Sequence, residues 1–477
     1  MFKKLFNYCF IIPTLLIFPC SNISQGRLFA EEISIKDSPN QRLIKFEDIP
    51  NIITNNNLEL QSLEKLVRAA SYNVSSKISK KYPTLDLNAN GLPQYLYSER
   101  FNNNSIDTKT SQYQINPSLN LRWDIIDPKR GPEIKSAKNR YKIALNNYEI
   151  KKKDLIQEAK SRYHRFQKSI QDEKNALIAV KLSETSLKDA KAKLEVGIGT
   201  KFEVIEASSQ LEIDQQLLKE NVTDKEINLI LLKEIFNIDF NQNITFEEKH
   251  ELTGFWSHPL EKILKSGLDK SYSLENINIQ NSFRRNQAQI FKNAYLPVIY
   301  ISNILSSSFS KGSALTSQID PNQTSSAYSN TISLNLAWNL FDGGQNSNTA
   351  KSQQAEAEAE KLKYLNLQNV IRTNISEAYL NLLKNKSKLI STKQEILAST
   401  EALRLARLRY EVGISTLKDV LIKQKESTLS KSKNINAIYN YNINLDKLER
   451  LTFLLKSKNC NSENNTNEDL KSSICDY

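Results

Sequence analysis

The sequence predicts a mainly α-helical chain with a membrane β-barrel portion: duplicated long coiled-coil hairpins plus four β-strands per chain. Three observations carry this. Landmarks return in order: Pro83 as Pro297 (214 positions on), Trp123 as Trp338 (215), and Tyr163 as Tyr379 and Val196-Gly197 as Val412-Gly413 (each 216). Self-similarity at a fixed interval is the signature of a tandem architecture. Each copy also switches from a helical period to a strict alternation and back, and each contains a very long helical stretch free of proline.

Residues 1–30 read as an export signal, with Lys3 and Lys4, an apolar stretch from Leu5 to Phe18, and Ala30 as cleavage residue. Cys20 is discounted as a lipid-attachment site because Pro19 stands where a small residue is wanted. Nothing later approaches the roughly 18 apolar residues of a spanning helix. Residues 42–257 form the first repeat, 258–455 the second, and 456–477 a flexible tail. After signal removal only Cys460 and Cys475 remain, both in that tail, where an oxidising compartment permits a disulfide.

The first repeat opens with a helix over 55–81, ended by Pro83. Leu85, Leu87 and Ala89 then alternate with Thr84, Asp86, Asn88 and Asn90. After an Asn-rich loop, Tyr113, Ile115, Leu119, Leu121, Trp123 and Ile125 alternate with polar residues. The second repeat has Ile332, Leu334, Leu336, Trp338 and Leu340 on one face, and a less regular partner around Val298 to Leu305. Long helices follow from near Glu133 and Gln345. Ile134, Ala137, Tyr141, Ala144, Tyr148, Leu155, Ala159, Tyr163, Phe166, Ile170, Leu177, Val180, Leu187 and Leu194 recur in steps of three, four or seven, a coiled-coil seam. Gly197-Ile198-Gly199 and Gly413-Ile414-Ser415 turn each chain segment back into a second helix. Residues 238–257 read as an irregular middle segment.

Strands with one apolar and one polar face suit a wall with lipid on one side and water on the other. Four strands cannot close a barrel, and open edges are not tolerated in lipid, so other copies must contribute. Trimerising gives a 12-stranded barrel, with the helices forming an α-helical tunnel below.

The sequence resembles the TolC-type outer-membrane efflux protein family from about residue 42 to 455. The resemblance rests on the duplicated order and on Asn57-Leu58-Glu59-Leu60, Tyr82-Pro83-Thr84-Leu85, Leu296-Pro297, Phe341-Asp342-Gly343-Gly344 and Ala378-Tyr379-Leu380-Asn381-Leu382-Leu383. It implies a homotrimer in the cell outer membrane extending into the periplasm. A periplasmic adaptor (membrane-fusion) protein, an inner-membrane pump or ABC transporter and outer-membrane lipid are the implied partners. The implied role is the exit duct of a tripartite efflux pump or type I secretion system, with no cofactor. An adaptor-docking and gating tip is expected at Val196, Gly197, Glu203, Tyr410, Val412, Gly413 and Asp419. Tyr410 and Glu203 match a tyrosine and an acid of the family's closing network, but Ser415 stands where its arginine would be. Closure is expected to use cations such as Lys201 and Lys418, or Tyr410 hydrogen bonds, against six carboxylates in a trimer.

No catalytic or metal constellation is visible: His164, His250 and His258 lack ligand spacing and a neighbouring nucleophile. The net charge of +12 is spread among 53 acids, so nucleic acid is not expected, though anionic head groups are attracted. The competing architecture, a periplasmic coiled-coil adaptor or secreted structural binding protein, predicts one hairpin flanked by Gly-rich β domains. This chain has two hairpins and 11 glycines.

Overall fold

The computed structural model describes residues 42–457, apart from 102, 104–106, 243 and 317–321. The export signal, residues 458–477 and the Cys460–Cys475 pair lie outside the described residues.

Asn57 shapes the start. A single helix was expected over 55–81, but the chain makes α1 (Ile49–Asn56) and α2 (Leu58–Ser79) with a break between them. Asn57 leaves helical geometry, accepts the Leu60 N–H at 3.1 Å and donates to the Ile235 carbonyl at 3.2 Å. A short polar side chain competing for backbone groups favours a cap over a helix interior. Before α1 lies β1 (Arg42–Ile44).

The first strand pair is β2 (Thr84–Arg100) and β3 (Thr108–Ile126), followed by α3 (Arg130–Glu195) and α4 (Lys201–Ile235). A short β4 (Ile244–Phe246) lies in the segment expected to be irregular and pairs with β1. The second repeat has α5 (Leu260–Asp269), α6 (Tyr272–Lys292), β5 (Val298–Thr316), β6 (Thr324–Ala337), α7 (Gln345–Glu411) and α8 (Leu417–Thr452). Helix α3 starts three residues before the expected Glu133. Pro132 then falls in the first turn, where its missing N–H removes no intrahelical bond. Trp338 and Leu340 lie beyond β6, which ends at Ala337.

With 66 and 67 residues, α3 and α7 each extend about 100 Å at about 1.5 Å per residue. Along α3 the seam holds at Leu155, Ala159, Tyr163, Phe166, Ile170 and Val180, all buried. Leu177 and Leu194 are exposed, and Ala176, Ala179, Ser183, Ser186 and Ala190 take the inner face near the tip. A helix of 3.6 residues per turn drifts by about 20° per heptad, so a strict seven-residue count moves off the contact line.

The four long strands form one antiparallel sheet in the order β2-β3-β5-β6. Its outer strands, β2 and β6, have no further strand partner among the described residues. The tail was expected to be flexible from residue 456, but Phe255 and Ser457 exchange backbone hydrogen bonds at 2.8 and 2.9 Å, and the Lys456 ammonium reaches Asp446 at 2.8 Å.

Candidate functional site: a two-faced sheet, an equatorial clamp and two hairpin tips

Register places most apolar residues of the four strands on one surface, with Ile304 and Tyr300 of β5 on the other. Leu85 faces Leu121 and Leu87 faces Leu119; Leu119 faces Leu305 and Trp123 faces Ile301; Ile301 faces Leu334 and Ile299 faces Leu336. These leucines on β2 and β6 are well exposed. The same surface carries Tyr95, Tyr113, Phe309 and Tyr328 towards the strand–strand loops and Trp123 at the helix end. An apolar band bounded by aromatic rims is the pattern of a lipid-facing barrel wall. The opposite surface is polar. Arg122 bonds Asp124 at 2.9 Å and lies 3.9 Å over the Tyr300 ring, while Asn335 donates to Ser302 at 2.9 Å.

Each repeat fixes its strands to its helices by equivalent contacts. Trp123 donates its indole N–H to the Lys81 carbonyl at 3.0 Å, and Trp338 to the Tyr295 carbonyl at 2.8 Å. Asp127 accepts the Lys129 N–H at 2.9 Å; Asp342 accepts the Gly344 and Asn346 N–H groups at 3.0 Å each. The Tyr295 hydroxyl, 2.7 Å from Asp342, and these backbone donors hold the Asp342 carboxyl below its ordinary range.

Midway along the helices a clamp of charges is buried. His164 Nε2 lies 3.2 Å from Asp446 Oδ2, while Lys456 approaches Asp446 at 2.8 Å and Lys160 approaches Glu449 at 2.8 Å. The ring of Phe46 covers His164 with centroids 4.9 Å apart. Burial pushes the Asp446 carboxyl up, but the His164 bond and the two lysines outweigh it and hold the carboxyl well below its ordinary value. His164 was read from sequence as an ordinary residue, because its partner lies 282 positions away.

At the tips, the predicted glycines have the predicted conformation. Gly197 has φ +80° and Gly413 +79°, and a Cβ at either would meet no atom within 4 Å. Ile198 N–H reaches the Lys193 carbonyl at 3.0 Å and Gly197 N–H that of Leu194 at 3.1 Å; Ile414 and Gly413 repeat the pattern at 2.8 and 3.2 Å. These are Schellman ends. Val196 and Val412 are exposed beside them.

Glu203 and Asp419 have a local task that the sequence reading missed. Thr200 and Thr416 cap α4 and α8, accepting the Glu203 and Asp419 N–H groups at 3.2 and 3.4 Å, while both carboxylates return to the threonine N–H at 3.1 Å. The threonine–x–x–acid spacing is the signal that could have found these boxes. The Asp419 carboxyl is lowered chiefly by the Thr416 backbone N–H.

Within a single chain Tyr410 is held by packing. Its side chain is buried among Ala190, Ala207, Leu417 and Val420, and its hydroxyl has no hydrogen-bond partner among the described residues. Lys193 lies 3.5 Å over its ring and donates to its carbonyl at 2.7 Å. Burial, with the charges of Glu203 and Asp189 behind it, pushes the Tyr410 phenol up. The cation in contact is thus Lys193, and neither Lys201 nor Lys418 forms an ion pair with the tip acids among the described residues.

The sequence matches the family described as Outer membrane efflux protein over residues 49–237 and 265–452. No curated protein matches it. The fold is similar to that of the Campylobacter jejuni CmeC outer membrane channel (16% identity over 98% of each chain, TM-score 0.69). It is also similar to the Vibrio cholerae outer membrane protein VceC (14% identity, 87% of this chain and 96% of that one, TM-score 0.70). The Neisseria gonorrhoeae MtrE outer membrane channel shares it too (14% identity, 85% and 88%, TM-score 0.64). With both halves of the chain matched and the same architecture found, the chain belongs to the outer membrane efflux protein family, and its place is the outer membrane, reaching into the periplasm.

Proposed function

We propose that three copies of this chain close a shared twelve-stranded barrel and a helical tunnel, forming the exit duct of an export machine and catalysing no reaction. The observation that carries this is the two-faced sheet whose outer strands, β2 and β6, have no further strand partner among the described residues. Backbone groups left unpaired in lipid are too costly to persist, so β6 of one copy pairs with β2 of the next. The helices support the same assembly. Ile205, Ile213, Ile227 and Ile230 on α4, and Leu365, Leu380, Leu397 and Leu405 on α7, are exposed in a single chain and supply apolar stripes for neighbouring copies.

Cargo is handed over by an inner-membrane pump or ABC transporter through a periplasmic adaptor that docks at the tips. Val196, Ile198, Phe202, Val412 and Ile414 give those tips an exposed apolar surface at the far end of each hairpin. Gly197 and Gly413 shape the turn, and Glu203, Tyr410 and Asp419 set the charge and packing of the entrance. Like charges from three copies repel, which favours opening, and the Lys193 contact with Tyr410 opposes it by pinning one hairpin to the other.

Single-channel recording in planar bilayers tests this. Glu203→Gln with Asp419→Asn keeps hydrogen-bonding caps but removes the charge, and should change conductance while trimers still form. Gly413→Val should weaken adaptor crosslinking. A tip insensitive to all three changes would be only a turn, and absence of any conductance from heat-modifiable trimers would refute the duct.

A further inference from the structure

The apolar surface of the sheet is interrupted near its loop end by a groove of about 430 Å3. Its walls include Pro93, Tyr113, Ile115, Phe309, Lys311 and Thr324. The register grades them along the strands. Ile115 sits opposite Phe309, on the side of the leucine band. One step towards the loops, Tyr113 sits opposite Lys311, and Lys311 opposite Thr324.

Two lysines lie at this loop end of the wall, and they differ. Lys109 is neutralised by Glu99 at 3.1 Å. The Lys311 ammonium has neither a carboxylate nor a hydrogen-bond partner among the described residues, although it is exposed on the apolar face. A cation left unpaired at the polar end of an apolar groove is complementary to an anion carrying a hydrocarbon chain.

Depth in the membrane identifies that anion. From Trp123 to Tyr113 is ten residues along β3, about 33 Å of strand. Strands tilted by about 40° turn this into a height near 25 Å, the usual thickness of a barrel's apolar band. Tyr113 and its neighbour Lys311 therefore stand at head-group level, at the end of the sheet away from the helices. With the helices in the periplasm, that level is the outer leaflet.

We propose that this groove is a binding site for a lipid of the outer leaflet whose head group carries phosphate. Lys311 takes the phosphate, the Thr324 and Tyr113 hydroxyls lie beside it, and Ile115, Phe309 and Pro93 take an acyl chain. The proposal rests on reading the sheet as the outer-membrane wall, and it adds a specific lipid to that wall.

The test is lipid retention by purified trimers, read by native mass spectrometry, with phosphatidic acid and its phosphate-free diacylglycerol as the two probes. Wild-type trimers should retain phosphatidic acid in preference to diacylglycerol. Lys311→Gln should lower that preference about fivefold per site, the ratio equivalent to about 1 kcal/mol for a basic residue near an anionic surface. Lys109→Gln should leave it unchanged, and Phe309→Ala should reduce retention of both lipids. Equal retention of phosphatidic acid by Lys311→Gln and wild type, or equal loss in Lys109→Gln, overturns the site. Trimer formation and conductance are recorded on the same samples: trimers that conduct but show no preference sink the lipid site alone, whereas chains that fail to trimerise or conduct sink the wall as well.

Discussion

The two halves of the chain share a backbone and differ in what covers it. Tyr163 and Tyr379 occupy equivalent places on α3 and α7, yet Tyr163 is fully buried while Tyr379 lies at the margin of an aliphatic cluster around Ile375 and Leu382. The Tyr163 hydroxyl donates to the Ile44 carbonyl at 3.2 Å and accepts the Glu247 N–H at 3.1 Å. Both partners come from the layer formed by β1 and β4 beside α3, whereas Tyr379 shares its cluster with Leu252 and Trp256. The tips repeat the lesson. Gly197 and Gly413 turn alike, but Leu194 is exposed and Tyr410, its equivalent, is buried. Duplication specifies the turns, which depend on neighbouring residues. Burial depends on which distant side chains meet: β1 and β4 over Tyr163, and Ala190 and Ala207 of the other hairpin over Tyr410.

The largest expected effect falls on the equatorial clamp, where the halves meet. Asp446→Ala leaves Lys456 without its carboxylate and the His164 ring nitrogen without its partner, while Lys160 keeps Glu449, and should cost about 3–5 kcal/mol, measured by denaturant unfolding of the helical signal. Because the Asp446 carboxyl is held below its ordinary value of 3.8, its contribution is present above about pH 4 and is lost as the pH falls further. Asp446→Asn should remove that part of the acid sensitivity. Unchanged acid unfolding in Asp446→Asn would show that the clamp is not the acid-sensitive link.

The strand pairs should behave alike. Leu87→Lys and Leu334→Lys each place a charge on the proposed lipid face and should each cost about 2–4 kcal/mol near the midplane. Sensitivity confined to one half would break the symmetry of the wall.

The paired tyrosines should behave differently. Tyr163→Phe loses two hydrogen bonds in a buried place and should cost about 1–3 kcal/mol, whereas Tyr379→Phe should cost little. Burial raises the Tyr163 phenol above its ordinary value of 10.0, so its contribution is complete below about pH 10 and is lost as the pH rises through the raised value. Alkaline melts should therefore flatten in Tyr163→Phe. The smallest pair is at the tips: Thr200→Ala and Thr416→Ala each remove a cap and should each cost about 1 kcal/mol. A loss at Thr416 several times that at Thr200 would mean that the second tip does more than turn.

What was legible in the sequence follows the same division. Period-two alternation, the Val-Gly turns and the proline-free helices are local signals, and they located the helix-side parts of the strands, the tips and α3 and α7, while β2 continues to Arg100, β5 to Thr316 and β6 begins as early as Thr324. The Asn57 break was missed because one capping side chain overrides a continuous helical pattern. The Lys193–Tyr410 contact and the His164–Asp446 pair join residues separated by 217 and 282 positions, and no spacing rule reaches that far. The capping role of Glu203 and Asp419 is readable from the threonine–x–x–acid spacing at Thr200 and Thr416.

In the proposed duct both halves contribute equally to one wall between lipid and water. Single cysteines at Leu87, Asn120, Leu334 and Asn335, each in an otherwise cysteine-free chain, can be probed in outer membranes with an impermeant thiol reagent. Asn120 and Asn335 should label, and Leu87 and Leu334 should be protected. Equal labelling of all four positions would contradict this arrangement.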